Sequence, residues 1–454
     1  MTNADWKGRQ VLVLGLGDTG LSCIRWLSAR GARVRAADSR AAPPGLAEVR
    51  SRYPQVDVAA GRFDEALLEG MDTVVASPGV ALREPLLRAA QARGLPVVGD
   101  VEIFAREVRA SGKARVIGIT GTNGKSTVTA LAGEMGRVAG LRTVVAGNIG
   151  VPVLDALDAQ ADAQLYVVEL SSYQLETTSS LALEAAAMLN LTQDHMDRYD
   201  SMADYARAKE RIFRHADKRV VNRDDPWSRS MGDASSFSFG LGEPRNDNEW
   251  GLDATRTRIL RGKDEVLELG DMALTGLHNA ANAMAAHALG TALELPPWAL
   301  TQALREFAGL PHRVELVARA KGISFYDDSK GTNVGASVAA LEGFRERVVL
   351  IAGGDGKGQD FAPLLPAVKA HARAVVLIGR DAPALAAALV EANVPMANAT
   401  SMQEAVEASY ALAHKGDAVL LSPACASFDM FRNYAHRGDV FAEAARAIAG
   451  RDGP

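Results

Sequence analysis

The chain alternates short apolar runs rich in valine and isoleucine with longer alanine- and leucine-rich stretches of helical period. This alternation predicts βαβ units, mainly parallel sheets and therefore an α/β fold. Ligands of such folds bind beyond the carboxyl ends of the strands, so the loops that follow the strands are the first place to look for chemistry. The clearest strands are expected at Val11–Leu14, Arg33–Ala37, Thr73–Ala76, Val116–Ile119, Leu165–Leu170, Val348–Ala352, Val375–Ile378 and Ala418–Leu421.

Interruptions of this pattern divide the 454 residues into three predicted domains, 1–98, 99–309 and 310–454. The polar stretch Gly240–Gly270 predicts a short antiparallel insertion in the second domain, and Asn279–Leu289 predicts a helix. The third domain begins after Gly309-Leu310-Pro311. Proline ends helices and extends the residue before it, so this segment is a candidate hinge.

Composition excludes several classes of protein. Hydrophobic residues make up 48% and charged residues 23%, with a net charge of -5, which is typical of globular proteins and unlike basic nucleic-acid-binding domains. Cys23 and Cys425 are far apart and lack partners at metal-ligand spacing, so two buried free thiols are expected. No signal-like or membrane-spanning apolar run is visible. We therefore expect a cytoplasmic protein that binds neither nucleic acid nor membrane. Separately, we expect a monomer.

A first glycine loop, Gly15-Leu16-Gly17-Asp18-Thr19-Gly20, follows the first predicted strand and opens a helix, and Asp38 ends the next strand. This arrangement is typical of NAD sites. The physical chemistry of this motif does not distinguish between nucleotides, because glycines and a helix N-terminus suit any nucleotide diphosphate, including a UDP-sugar. A tight turn without a ligand is the third interpretation.

A second glycine loop, Gly118–Thr127, ends in Gly-Lys-Ser-Thr between a predicted strand and a helix. It is a variant of the phosphate-binding loop, because Ile119 stands where the strict pattern has glycine. Lys125 is expected to contact the terminal phosphates of a nucleotide, and Ser126 or Thr127 to help hold Mg²⁺. A second nucleotide loop weakens the dehydrogenase interpretation.

Two candidate metal ligands follow this loop. Glu169 ends an apolar strand, where a carboxylate is costly without a cation, although a paired structural acid remains an alternative. A strand predicted at Ala187–Leu191 is expected to deliver His195 to the same sheet edge.

Lys209 lies on the apolar stripe of a helix predicted over Met202–Phe213. Spacing alone favours a side chain that extends to water. The alternative is a desolvated neutral amine, which reacts with CO₂ to give a carbamate, a carboxylate that binds Mg²⁺.

Taken together, the motifs resemble those of the Mur ligase family, the ATP-dependent amino-acid ligases of peptidoglycan synthesis. The resemblance covers essentially the whole chain and rests on eleven motifs in order: GLGDTGLS, SPGV, GITGTNGKST, GNIG, ELSSYQLETTSS, NLTQDHMDRY, YARAKERIF, LPHR, DDSKGTN, GGDGK and SPACASFD. It implies a Rossmann-like N-terminal domain, a central P-loop ATPase-type domain and a Rossmann-like C-terminal domain. The implied activity is ADP-forming ligation of D-glutamate to UDP-N-acetylmuramoyl-L-alanine, with ATP, two Mg²⁺ ions and a carbamate on Lys209.

The resemblance also implies a role for individual residues. The implied UDP-sugar contacts are Thr19, Asp38, Arg40, Ser77, Gly79, Asn148, Ser171, Gln174 and His195. The implied ATP contacts are Gly121, Thr122, Asn123, Gly124, Lys125, Ser126, Thr127, Asn279, Asn282, Arg313 and Asp328, with Lys330 nearby. The implied D-glutamate contacts are Thr332, Lys357, Ser427, Phe428 and Tyr434. The implied metal ligands are Ser126, Glu169, His195 and Lys209, and the implied catalytic residues are Lys125, His195, Lys209 and Arg313.

Other members of the family fit less well. The L-alanine-adding ligase typically lacks the modified lysine, the diaminopimelate-adding ligase carries an Asp-Asn-Pro-Arg signature, and folylpolyglutamate synthase begins with the phosphate loop. Outside the family, a nicotinamide oxidoreductase and a non-catalytic nucleotide-binding regulator are the alternatives.

Overall fold

The computed structural model describes residues 6–274 and 276–452 and confirms the predicted α/β class. The strands form three sheets of five, nine and six strands. The backbone separates into two compact units. The first unit contains the described residues up to 190 with 203–268 and 282–305, and the second contains 191–202, 269–281 and those from 306 onward.

The five-stranded sheet of the first unit is entirely parallel, in the order β3-β2-β1-β4-β5. Its strands are β1 (Gln10–Leu14), β2 (Arg33–Asp38), β3 (Asp57–Ala60), β4 (Thr73–Ala76) and β5 (Val97–Val98). Helices along this part of the chain are α1 (Asp18–Ala29), α2 (Leu46–Arg52) and α3 (Pro85–Ala92). The strand order reverses between β1 and β4, which is where sheets of this kind bind ligands.

The nine-stranded sheet of the same unit has the order β14-β13-β12-β11-β10-β9-β6-β8-β7. Its strands are β6 (Arg115–Thr120), β7 (Thr143–Gly147), β8 (Leu165–Glu169), β9 (Leu183–Met188), β10 (Ala216–Asn222), β11 (Phe237–Phe239), β12 (Glu249–Leu252), β13 (Arg258–Arg261) and β14 (Asp264–Glu268). The pairs β12–β13 and β13–β14 are antiparallel, so the predicted antiparallel insertion is confirmed as an extension of this sheet. Helices in this stretch of sequence are α4 (Asp100–Ser111), α5 (Lys125–Val138), α6 (Val153–Ala159), α7 (Ser172–Glu176), α8 (Met202–Glu210), α9 (Pro226–Ser230), α10 (Leu277–Ala292) and α11 (Pro297–Glu306).

The six-stranded sheet of the second unit has the order β15-β16-β20-β17-β18-β19 and is parallel except for the β15–β16 pair. Its strands are β15 (Glu315–Ala320), β16 (Ile323–Asp327), β17 (Val348–Gly353), β18 (Ala372–Ile378), β19 (Met396–Asn398) and β20 (Ala418–Leu421). The helices are α12 (Val334–Glu342), α13 (Leu365–His371), α14 (Ala382–Leu389), α15 (Met402–Leu412) and α16 (Tyr434–Asp452). Apolar clusters cover both faces of the sheet, as parallel strands require.

The bounds of one predicted strand are wrong. The apolar run Ala187–Leu191 suggested a strand, but β9 ends at Met188, because the backbone at Asn190 pairs with the second glycine loop instead of a neighbouring strand. The predicted helix over Met202–Phe213 ends at Glu210 and continues as a 3₁₀ turn over Arg211–Phe213. Both cysteines are buried free thiols, as expected. Within the described ranges, no helix is long and apolar enough to cross a bilayer.

Candidate active site

The first glycine loop lies at the carboxyl edge of β1 and β4. Gly15 has a φ of +93°, and a side chain there would lie 2.9 Å from Ser77 Oγ, so the close approach requires glycine. Asp38 accepts hydrogen bonds from Leu16 N at 2.8 Å and from Arg40 Nε at 2.9 Å. Burial alone would raise the pKa of Asp38, but these bonds outweigh it and lower the pKa to about 2. The predicted UDP-sugar contacts lie at or directly after the carboxyl ends of the adjacent strands β1, β2 and β4, and they are Thr19, Asp38, Arg40, Ser77 and Gly79.

The second glycine loop joins β6 to α5, with Lys125 as the first residue of the helix. Gly124 has a φ of +82°, and a side chain there would lie 2.5 Å from Asn282 Oδ1, so this predicted ATP contact lies against the loop. Lys125 Nζ donates to Thr122 O at 2.8 Å, and Ser126 is buried. The geometry is that of a phosphate-binding loop at a helix N-terminus.

Asn190 shapes this loop, and the sequence reasoning missed it. Its backbone carbonyl accepts from Thr122 N at 2.9 Å, and its Oδ1 accepts from Asn123 N at 2.8 Å. Its Nδ2 also donates to Asn123 O at 3.1 Å. The available signal is a polar amide within the otherwise apolar run Ala187–Leu191, which predicts a strand.

Glu169 ends β8, next to β6, and its side chain is 1% exposed. Its Oε1 accepts from Asn148 Nδ2 at 2.7 Å, whereas its buried Oε2 has no hydrogen-bond partner in the described structure. An unpaired buried carboxylate oxygen beside a phosphate-binding loop fits a divalent cation. Ser171 and Gln174, both predicted substrate contacts, form a capping box at the start of α7, in the next turn of the chain.

Lys209 does not extend to water. It is 2% exposed, so the expectation from spacing alone is wrong, because the apolar stripe of α8 packs into the unit instead of lying at its surface. Its Nζ donates to Gly121 O at 2.7 Å and to Thr120 Oγ1 at 3.4 Å, and it lies 4.9 Å from the centroid of the Tyr205 ring. The structure therefore brings Lys209 to the base of the phosphate loop.

His195 belongs to the second unit and has a left-handed backbone, with a φ of +58°. Its backbone N–H donates to Asp194 Oδ1 at 2.9 Å. Asp194 is buried and accepts a hydrogen bond from Lys357 Nζ at 2.7 Å. The predicted D-glutamate lysine thus lies beside the segment that carries the predicted metal ligand.

Arg313 and Asp328 also lie in the second unit. Asp328 is buried, and its Oδ2 accepts from Ser422 Oγ at 2.7 Å. Burial raises the pKa of this carboxyl to about 7, against the lowering effects of the Ser422 hydrogen bond and the Arg313 charge. Burial and the same arginine lower the pKa of His278. Asn279, another predicted ATP contact, follows His278 in α10.

Four of the five predicted D-glutamate residues lie on loops that follow strands of the six-stranded sheet, and Tyr434 is the first residue of α16. Thr332, Lys357 and Ser427 follow the adjacent strands β16, β17 and β20, and Lys330 Nζ donates to the hydroxyl of Tyr434 at 3.1 Å. Phe428 instead points outward and is 75% exposed.

Comparisons with known proteins identify families and relatives that this chain resembles. Family models for the Mur ligase MurD-like N-terminal domain, the Mur ligase middle domain and the Mur ligase glutamate ligase domain match residues 9–99, 119–290 and 312–425. A protein named UDP-N-acetylmuramoylalanine--D-glutamate ligase from Methylobacillus flagellatus is 56% identical over 96% of this chain and 97% of its own length. The protein of that name from Thiobacillus denitrificans is 55% identical over 98% and 97%.

Among solved structures, UDP-N-acetylmuramate-alanine ligase MurC from Thermotoga maritima superposes with a TM-score of 0.60 at 19% identity, covering 97% of this chain and 98% of the other. That likeness supports the three-domain α/β fold. Together, the three matching models and the relatives above half identity over nearly the full length show that the chain belongs to the Mur ligase family.

Proposed function

We propose that the chain is an ADP-forming amide ligase that joins D-glutamate to UDP-N-acetylmuramoyl-L-alanine in peptidoglycan synthesis. The observation that carries this proposal is the 55–56% identity, over almost the whole chain, to relatives named for that reaction. Two distinct glycine loops support it, because the reaction needs separate sites for a UDP-sugar and for ATP. We also propose domain boundaries at 1–98, 99–309 and 310–454, consistent with one sheet in each range.

The chemistry explains why ATP is needed. A carboxylate is a poor electrophile, so transfer of the γ-phosphoryl group to the L-alanyl carboxylate forms an acyl phosphate and ADP. The amine of D-glutamate then attacks the acyl carbon, loses a proton, and phosphate departs as the amide forms. Negative charge accumulates during phosphoryl transfer, and Lys125 and Arg313 are the cations we assign to stabilise it.

We assign Ser126, Glu169 and His195 to Mg²⁺, which supplies charge neutralisation of the phosphates when bound. The unpaired Oε2 of Glu169 supports this assignment. We further propose that Lys209 is carbamylated in the active enzyme: its neutral amine adds to CO₂, forming an N–C bond and releasing a proton. Its burial beside the phosphate loop supports this, because an ammonium there repels a metal ion whereas a carbamate binds one.

We assign the remaining predicted contacts as the family resemblance implies. The residues that we assign to the UDP-sugar site are Thr19, Asp38, Arg40, Ser77, Gly79, Asn148, Ser171, Gln174 and His195. The D-glutamate site takes Thr332, Lys357, Ser427, Phe428 and Tyr434, in which a cation and hydroxyl groups suit a carboxylate.

The test is ADP release by the purified protein with ATP, Mg²⁺, UDP-N-acetylmuramoyl-L-alanine and a panel of D- and L-amino acids. We expect release with D-glutamate and far less with L-glutamate or D-alanine. L-Glutamate directs its side-chain carboxylate elsewhere and D-alanine lacks one, so the hydrogen-bond donors of the site stay unpaired with either amino acid. Equal release with all three amino acids would contradict the proposal.

A further inference from the structure

Gln359 is a buried residue in the loop that follows β17, and its side-chain amide is hydrogen-bonded to backbone groups of two loops and of the first residue of α12. Its Nε2 donates to Gly356 O at 2.8 Å and to Ala424 O at 3.2 Å. Its Oε1 accepts from Val334 N at 3.0 Å. One side chain therefore connects three separate segments of backbone.

Those three segments follow β16, β17 and β20, which are neighbours in the sheet. Each segment carries one of the residues that we assign to D-glutamate. Thr332 lies two residues before Val334, Lys357 follows Gly356, and Ser427 lies three residues after Ala424. The positions that Gln359 connects are thus within three residues of the proposed ligands.

The loop that carries Lys357 needs such a connection. Gly353, Gly354 and Gly358 have φ values of +129°, +132° and +71°, and Lys357 itself has a φ of +53°. A glycine-rich segment has many accessible backbone conformations, and a non-glycine residue at positive φ keeps that conformation only when its surroundings hold it. A small displacement of a ligand-binding group costs much of its binding energy.

We infer that Gln359 is a positioning residue for the amino-acid substrate: it holds Thr332, Lys357 and Ser427 in the spacing that binds D-glutamate. This inference rests on the proposed function. It assigns Gln359 no contact with substrate, and it predicts an effect on amino-acid binding that is separate from ATP binding and from UDP-substrate binding.

The test compares KM values of the wild type, Gln359→Glu and Gln359→Met. Gln359→Glu keeps the acceptor for Val334 N but replaces both donors with an anion beside two carbonyl oxygens. Gln359→Met keeps the length of the side chain and removes every polar function. If the buried carboxylate of Gln359→Glu prevents folding, Gln359→Met still tests the inference. We expect the KM for D-glutamate to rise about tenfold in each, since buried groups are left unpaired. The KM values for ATP and for the UDP substrate should stay within about twofold.

Ser409→Ala is the matched control, because it removes a buried hydrogen bond, from Ser409 Oγ to Ala405 O at 2.7 Å, in α15 of the same unit. A purely structural loss lowers the folded fraction, and hence kcat, without moving any KM. If the Gln359 variants behave like Ser409→Ala, the inference is overturned while the proposed function stands. If wild-type protein forms no ADP with D-glutamate, the proposed function fails and takes this inference with it.

Discussion

Asp328 should make the second unit less stable as the pH rises from 5 to 8, and Asp328→Asn should remove that dependence. The ordinary pKa of an aspartate is 3.8, whereas burial raises the pKa of Asp328 to about 7 in the folded chain. Between these values the folded state holds a proton that the unfolded state has lost. Stability in this window therefore decreases with pH, and the neutral carboxyl's contribution is fully lost above the folded pKa.

The size of this change in stability follows from the coupling between proton binding and folding. One proton per molecule changes the free energy of unfolding by about 1.4 kcal/mol per pH unit, so the interval from pH 5 to about pH 7 accounts for about 3 kcal/mol. Asparagine cannot ionise. The difference in stability between Asp328→Asn and the wild type should therefore grow, in favour of the variant, by about 3 kcal/mol from pH 5 to pH 8.

The assay must report this unit alone. Protein equilibrated in urea at each pH is pulse-labelled with deuterium at one common pH, and mass spectrometry follows peptides from β16 and β20. Asp417→Asn is the control: burial would raise the pKa of Asp417, but hydrogen bonds from Arg373 and from the His414 N–H outweigh it and lower the pKa. Asp417 therefore titrates below the window, and its variant should differ from the wild type equally at pH 5 and pH 8. A constant difference for Asp328→Asn as well would refute the reasoning.

Three further predictions concern activity. Lys125→Ala should lower kcat about 10²-fold or more while calorimetry detects unchanged UDP-substrate binding, because Lys125 belongs to the ATP loop alone; a matching loss of UDP-substrate affinity would contradict this. Lys209→Ala should abolish activity, and Lys209→Arg should be inactive as well because the positive charge remains. Short carboxylic acids should partly restore the activity of Lys209→Ala. ¹³C NMR with labelled bicarbonate should detect the carbamate, and an unmodified ammonium in fully active, magnesium-loaded enzyme would exclude it. Lys357→Ala should raise the KM for D-glutamate more than that for ATP, and the opposite order would remove Lys357 from the amino-acid site.

Local sequence determined most of the framework. Strands such as Thr73–Ala76 and Ala418–Leu421 are exactly where their β-branched and apolar runs predict them, because a buried parallel strand needs apolar residues on both faces. The two glycine loops and Glu169 at the end of β8 are also predicted from short stretches of sequence. A tight strand-to-helix turn and a buried carboxylate leave signatures within a few residues of sequence.

The tertiary structure decided what depends on distant neighbours. Lys209 has the same helical spacing whether its stripe is covered or faces water, and only packing of α8 buries it against the phosphate loop. Asn190 lies within the run Ala187–Leu191 that predicts a strand, yet its amide forms hydrogen bonds with Asn123. Gln359 sits in a loop without periodicity, and its partners Val334 and Ala424 are brought to it by the order of three parallel strands. Periodicity records which face of an element is apolar, whereas hydrogen-bond partners far along the chain are set only when the sheet is assembled.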